Sequence, residues 1–231
     1  MKREEKLQHT LWEIEKKWGQ GTIHSAASAA TRRAVSTGFD TLDDALQSGG
    51  ALTGQITVLM GIPTSGATTC AYRTIAKAQA QAGAAAYLDF GASFDPDMAV
   101  RFGIVLPHLL LVRTEQIDDG LQVGRDIVSA NAAALLVVDL SGCATALSRQ
   151  TYERLADVAL RSDCAVLVVI DRDDASLKSI AHTWLTFERQ TWLKNGERVC
   201  GCHTHVLVKK DKPTIKIAVV PLDITFGETV D

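Results

Sequence analysis

The sequence predicts an α/β fold: a mostly parallel sheet covered by helices, with an N-terminal helical arm and antiparallel strands at the C-terminal end. Three observations predict it. From about residue 35, apolar runs of strand length alternate with helix-length segments, the pattern of strands joined by crossover helices. The apolar runs are nearly continuous, as strands buried on both faces require. One of them leads through "GIPTSGATT", residues 61–69, into a helix, which is the setting of a phosphate-binding loop.

In chain order, Leu7, Leu11, Ile14 and Trp18 are spaced as one stripe of a helix, which "GQG" ends. "TIHSAASAATRR" reads as a short strand and a small-residue linker, so residues 1–34 form an arm and residues 35–231 the core domain. The stripe either folds back on its own domain or docks on another subunit. "GQITVLMG" is a buried strand, "TTCAYRTIAKAQAQAG" the helix after the loop, and "AAAYLDFG" the next strand. A helix begins near Asp95-Pro96, "HLLLVRT" is a short apolar run, and "DDGLQVGRDIVSAN" is a helix capped by Asp118 or Asp119. "AALLVVDL" is a strand closing on Asp139, "SRQTYERLADVALRS" a helix, and "CAVLVVID" another strand. "TWLTFERQTWL" and "RVCGCHTHVLVKK" form two strands around Lys194-Asn195-Gly196-Glu197, an Asn-Gly hairpin signal, and "TIKIAVVPLDITFG" supplies further strand.

The 231 residues are 46% hydrophobic and 22% charged, with a net charge of −3. That suits one soluble domain with a full core. It argues against a dominant nucleic-acid footprint, which is basic, while leaving room for a local patch. The N-terminus has no apolar signal-type region, and no stretch approaches the roughly 18 apolar residues of a membrane span. Five cysteines, an odd number without an export signal, read as reduced thiols in a cytoplasmic protein. "CGCHTH" is no single zinc site, because a strand sends Cys200 and Cys202 to one face and His203 and His205 to the other. Cys143 and Cys164 read as core thiols. Trp184 and Trp192 are either sheet packing or part of a binding face.

The loop fits the template G-x-x-x-x-G-K-[ST] at Gly61, Gly66 and Thr68, but Ala67 occupies the lysine position. Ser65 and Thr69 complete the turn and the first helical residues. Backbone N–H groups at such a strand–loop–helix junction hold phosphate. About 70 residues later a strand ends in Asp139, as the acid that orients magnesium does.

These features and their order resemble bacterial RecA recombinase along nearly the whole chain. "STGFDTLDDALQSGGALTGQITVLMGIPTSGATT" is similar to the segment leading into the RecA loop, "LWEIEKKWGQGTI" to its N-terminal helix and strand, and "GERVCGCHTHVLVKKDK" with "ITFGE" to its last core strands. The resemblance implies a RecA-like core, here without a separate C-terminal domain, and an arm that packs on a neighbouring protomer. It also implies that Lys210 and Lys212 reach toward a neighbour's nucleotide. The alternative for "KKDK" is a solvated basic turn.

The departures from the family are as informative as the matches. Ala67 removes a charge-assisted hydrogen bond to the β- and γ-phosphates, worth about 1.5–3 kcal/mol or ten- to hundredfold in affinity. Gly91 stands where the family carries the glutamate that activates water, a contribution of about 10²–10⁴-fold. Asp95 matches the adenine-contacting aspartate, while Met98 replaces the stacking tyrosine. The segments after Asp139 and Ile170, which in the family carry the DNA loops, are short, and the second holds Asp171, Asp173 and Asp174. The expectation is therefore a degenerate, non-hydrolysing nucleotide site with no required cofactor and at most weak Mg-ATP binding. DNA binding is expected to be weak or absent, and the residues specify no oligomeric state. The chain also looks like the ImuA-type accessory proteins of translesion mutagenesis. That likeness implies RecA and an inactive Y-family polymerase subunit as partners in the damage response. A nucleotide-gated switch, a DNA-binding recombination mediator and, more distantly, a RecA-fold division inhibitor of the SulA kind are the alternatives.

Overall fold

The structure, a computed structural model, describes residues 3–18, 33–144, 147–212 and 217–226. Helix α1 (Arg3–Trp18) is followed by β1 (Ala34–Val35), α2 (Asp40–Ala45), β2 (Ala51–Leu52), β3 (Ile56–Met60) and α3 (Ala67–Ala82). Next come β4 (Ala85–Asp89), α4 (Pro96–Arg101), a 3₁₀ turn (Leu106–His108), β5 (Leu109–Val112), α5 (Ile117–Ser129) and β6 (Leu135–Asp139). The chain continues through α6 (Arg149–Leu160), β7 (Ala165–Ile170), α7 (Ala175–Ile180), β8 (Thr183–Asn195), β9 (Arg198–Asp211) and β10 (Ala218–Thr225).

Eight strands form one sheet in the order β10-β9-β8-β3-β7-β6-β4-β5. Strands β3 to β8 are parallel, and β9 and β10 return antiparallel at one edge. Every residue of β4, β6 and β7 is buried, so these strands carry unbroken apolar runs instead of an alternating pattern. Period-two geometry divides their side chains between two cores. Leu59, Tyr87, Val137 and Leu167 face α3 on one side, and Val58, Leu88, Val138 and Val168 face the side of α5, α6 and α7 on the other. Each fully buried Leu, Ile or Val contributes about 1.5–3 kcal/mol. The outer strand β10 is buried at alternate residues only, as expected of an antiparallel edge with one wet face.

Several expectations need correction. Asp118 and Asp119 do not cap α5; its N-cap is Gln116, and both aspartates lie in the first turn, where their charge meets the positive end of the helix. The hairpin turn is centred on Gly196-Glu197, one residue beyond the Asn-Gly reading. Asn195 is still paired with Arg198, and Gly196 supplies the positive φ of 62°. The segment after Ile170 is no simple loop, since it contains α7, capped by Asp174.

In α1, Leu7 is 58% exposed, while Leu11 and Ile14 are half-buried. The side chain of Trp18 and the expected strand at "TIH" lie outside the described residues. On β9, Cys202 is in the core, and His203 and His205 stand together on the other face, with His203 Nδ1 2.7 Å from an Asp223 oxygen. Among the described residues, no three metal-type ligands come together, and no helix is long and apolar enough to cross a membrane. Cys143 and Cys164 are buried, and burial pushes the Cys164 thiol up to about 12. The two tryptophans of β8 divide: Trp184 is core, and Trp192 is exposed and packs edge-on against Phe226.

Candidate nucleotide site

The candidate site lies at the C-terminal ends of the parallel strands, where α/β sheets place their ligands. Strand β3 ends at Met60, and the loop of residues 61–66 delivers the chain into α3. The loop is tied to the neighbouring strand by Gly61 N–H, which donates to the Ile170 carbonyl at 2.9 Å. Gly66 is the N-cap of α3, with φ of 103°. A Cβ there would collide with Ile224, and one at Gly61 would collide with Ser65 and crowd Phe187. Gly66 thus suits both its positive φ and the close approach of Ile224 from β10, while Gly61 leaves space for Ser65 and for Phe187 of β8.

An open cleft of about 390 Å³ lies above the loop, closed on its far sides by Gly91, Ser141, Asp171 and Phe226. Thr68 and Thr69 are half-buried along it. Ala67 is only 3% exposed and belongs to the core cluster on the α3 side. Ser65 is also buried, and its hydroxyl has no hydrogen-bond partner. A cation from β8 reaches the loop. Arg189 donates to the carbonyl and the hydroxyl of Thr64, a loop residue held at φ of 67°. The same guanidinium stacks on Trp192 at 4.1 Å, and Trp192 meets Phe226 edge-on at 6.1 Å. Arg189 was not singled out in the sequence, because only the packing of β8 beside the loop gives it a role.

Asp139 ends β6 at the expected place, but its carboxylate is fully buried and taken up by the protein itself. One oxygen accepts from the Tyr87 hydroxyl at 2.5 Å and the Ser93 hydroxyl at 2.9 Å, and the other accepts from Ser141 N–H at 2.9 Å. Burial, followed by the Asp139 charge, pushes the Tyr87 phenol upward, so it stays protonated and donating. Asp89 is equally occupied. It accepts from Ser93 N–H and pairs with Arg113, whose Nη2 is 2.8 Å away. A Cβ at Gly91 would collide with the carbonyl oxygen of Ser141, so the backbone has closed over the position of a side chain.

The remaining expected residues fall as follows. Asp95 caps α4, accepting from Asp97 and Met98 N–H groups, and Met98 packs against the core. Lys210 is half-buried and donates to the Lys178 carbonyl at 2.7 Å; burial and then Lys212 lower its pKa. Lys212 is exposed. Asp174 also accepts from the Tyr152 hydroxyl, Asp173 pairs with Lys178 at 2.5 Å, and Asp171 accepts from Gly142 N–H.

The chain carrying this strand–loop–helix matches the RecA N-terminal domain family over residues 5–151. The chain belongs to the RecA family. It is 27% identical to Protein RecA of Staphylococcus carnosus, an alignment spanning 99% of this chain and 74% of that protein. It is 28% identical to Protein RecA of Bacillus cereus, covering 99% of this chain and 77% of the relative. Protein RecA of Allorhizobium ampelinum is likewise 28% identical, over 97% and 72%. Within this RecA-family fold the loop and the first residues of α3 line the cleft. Three features bear on phosphate and magnesium chemistry at this site. The template lysine is an alanine, the strand-end acid has its oxygens occupied by Tyr87, Ser93 and Ser141, and position 91 has no room for a carboxylate.

Proposed function

We propose that this RecA-family chain, a recombination- or repair-related protein, does not hydrolyse ATP and acts through protein–protein contacts in the DNA-damage response. On this reading it modulates RecA filaments or a translesion polymerase complex. The observation that carries the reading is the occupied carboxylate of Asp139, an acid placed for metal chemistry and used instead as a buried hydrogen-bond hub. The exposed apolar residues of α1 supply a surface for a partner, and the exposed Lys212 supplies a cation for a RecA-like contact. Such a chain would dock as a RecA protomer does and offer the next subunit a silent site, which ends a filament.

The deciding experiment titrates this protein into the DNA-stimulated ATPase reaction of its host's RecA. A change in rate at substoichiometric amounts is expected; an unchanged rate at several-fold excess rejects RecA as the target. The arm supplies a second expectation. Replacing Leu11 and Trp18 together with alanine abolishes association with RecA in a pull-down or interferometry measurement, and unchanged affinity rules the arm out as the docking element.

A second reading, a nucleotide-binding switch without hydrolysis, is favoured by the open cleft and the retained Thr68. Ala67 lines that cleft, so Ala67→Lys places an ammonium beside the loop. The substitution is expected to raise ATP affinity about ten- to hundredfold, the equivalent of about 1.5–3 kcal/mol, as read by calorimetry. Turnover is expected to stay at background in the same variant. If turnover appears, Asp171, the carboxylate bordering the cleft, is the base to replace next.

A further inference from the structure

A second concavity, distinct from the cleft, lies on the outer side of α3 where it meets the end of α4. It is a hollow of about 220 Å³ whose walls include Arg73 and Lys77 of α3, Arg101 and Phe102 of α4, and Thr225 of β10. Three cations converge on it, and among the described residues no carboxylate lines it. This is not a by-product of composition, because the chain has 27 acidic residues against 24 lysines and arginines. Among the described residues no ion pair engages Arg73, Lys77 or Arg101. Asp97, one turn before Arg101 on α4, is outside the lining. Arg73 and Lys77 are also four residues apart on one helix, an arrangement in which like charges repel.

One of the three is fixed in advance. Arg73 lies over the Phe39 ring at 4.5 Å, and its Nη1 reaches the Gly38 carbonyl at 3.4 Å. Lys77 and Arg101 are exposed and free to close on a ligand. Arginine forks match the oxygens of phosphate in pairs, and lysine adds a point charge. Three positive charges balance a doubly charged phosphate better than a single carboxylate.

We propose that this hollow binds a dianionic phosphate group. The group belongs either to a small free phosphate compound or to the 5′ end of a DNA strand. The site is independent of the nucleotide cleft and of the docking function argued above. The test is calorimetric titration of the full chain with sodium pyrophosphate, without magnesium and at low salt. The wild type, Lys77→Ala/Arg101→Ala and Thr68→Ala are compared. Saturable binding is expected in the wild type and in Thr68→Ala, with affinity at least tenfold weaker in the double variant. The proposal is overturned by absence of saturable binding in the wild type, by equal binding in the double variant, or by a loss confined to Thr68→Ala, which would assign pyrophosphate to the cleft. Saturable binding of a hexaglutamate peptide in the absence of pyrophosphate binding would also overturn it, marking a protein-docking pocket. Single-stranded oligonucleotides with 5′-phosphate and 5′-hydroxyl ends separate the sources. A preference for the phosphorylated end that vanishes in the double variant assigns a DNA terminus; equal affinity for both ends, with pyrophosphate binding kept, assigns a small phosphate compound.

Discussion

Asp139→Ala is expected to destabilise the protein by about 3–5 kcal/mol, seen as a lowered denaturation midpoint in urea with unchanged slope. The substitution strands the Tyr87 hydroxyl, the Ser93 hydroxyl and Ser141 N–H, all of which now end on this carboxylate. Each buried donor left without an acceptor costs about 1–3 kcal/mol, and a water entering the vacated space returns part of that. Asp139→Asn keeps the shape and one acceptor oxygen, so roughly half the loss is expected. The result separates two roles for the same residue. An acid kept for a metal tolerates removal in the resting protein, whereas a structural hub does not. A midpoint for Asp139→Ala equal to that of the wild type would sink the hub interpretation.

Gly91→Glu, which restores the carboxylate of the family pattern, is expected to lose about 1–3 kcal/mol of stability and to gain no ATPase activity. The first atom of any side chain at this position meets the Ser141 carbonyl oxygen, and a backbone oxygen in the turn after β6 cannot rotate aside as a flexible side chain does. Gly91→Ala therefore carries most of the same loss, because the clash lies at Cβ and not at the carboxylate. Thermal denaturation of the two variants beside the wild type checks the expectation. A Gly91→Glu protein that is as stable as the parent, or that turns over ATP, would show that the closed backbone reopens at little expense.

The fold was largely legible in the residues, and for a definite reason. Strands such as "ALLVVD" and "CAVLVVI" are apolar without alternation because both faces are covered, and that signal is local. Local chemistry also located the loop, through the spacing of Gly61, Gly66 and Thr68 between a strand and a helix. The misplaced features depended on longer-range choices. The β8–β9 hairpin closes on Gly196-Glu197 because the strand ladder carries Asn195 one pair further than its turn preference indicates. Asp118 and Asp119 serve α5 by charge, a use that an N-cap reading of the same residues cannot distinguish.

The fate of Asp139 was not legible at all. Tyr87 and Ser93 reach it only because β4 lies beside β6 in a register that pairs Asp89 with Asp139, and no pattern within either strand encodes that register. The same holds for Arg113 beside Asp89 and for Arg189 beside Thr64: each partner comes from a separate stretch of chain brought in by the sheet.

The packing of Ile224 and Phe187 beneath the loop glycines sets an order of events during synthesis. The loop is among the earlier parts of the core to be made, yet its floor is completed by β10, the last strand described. Segments that touch across most of a chain's length form their contacts late. On the ribosome, residues 61–66 must wait for nearly the entire protein to emerge before their shape is fixed. A chain interrupted before β10 would carry all of the loop's sequence but lack the Ile224 part of its support.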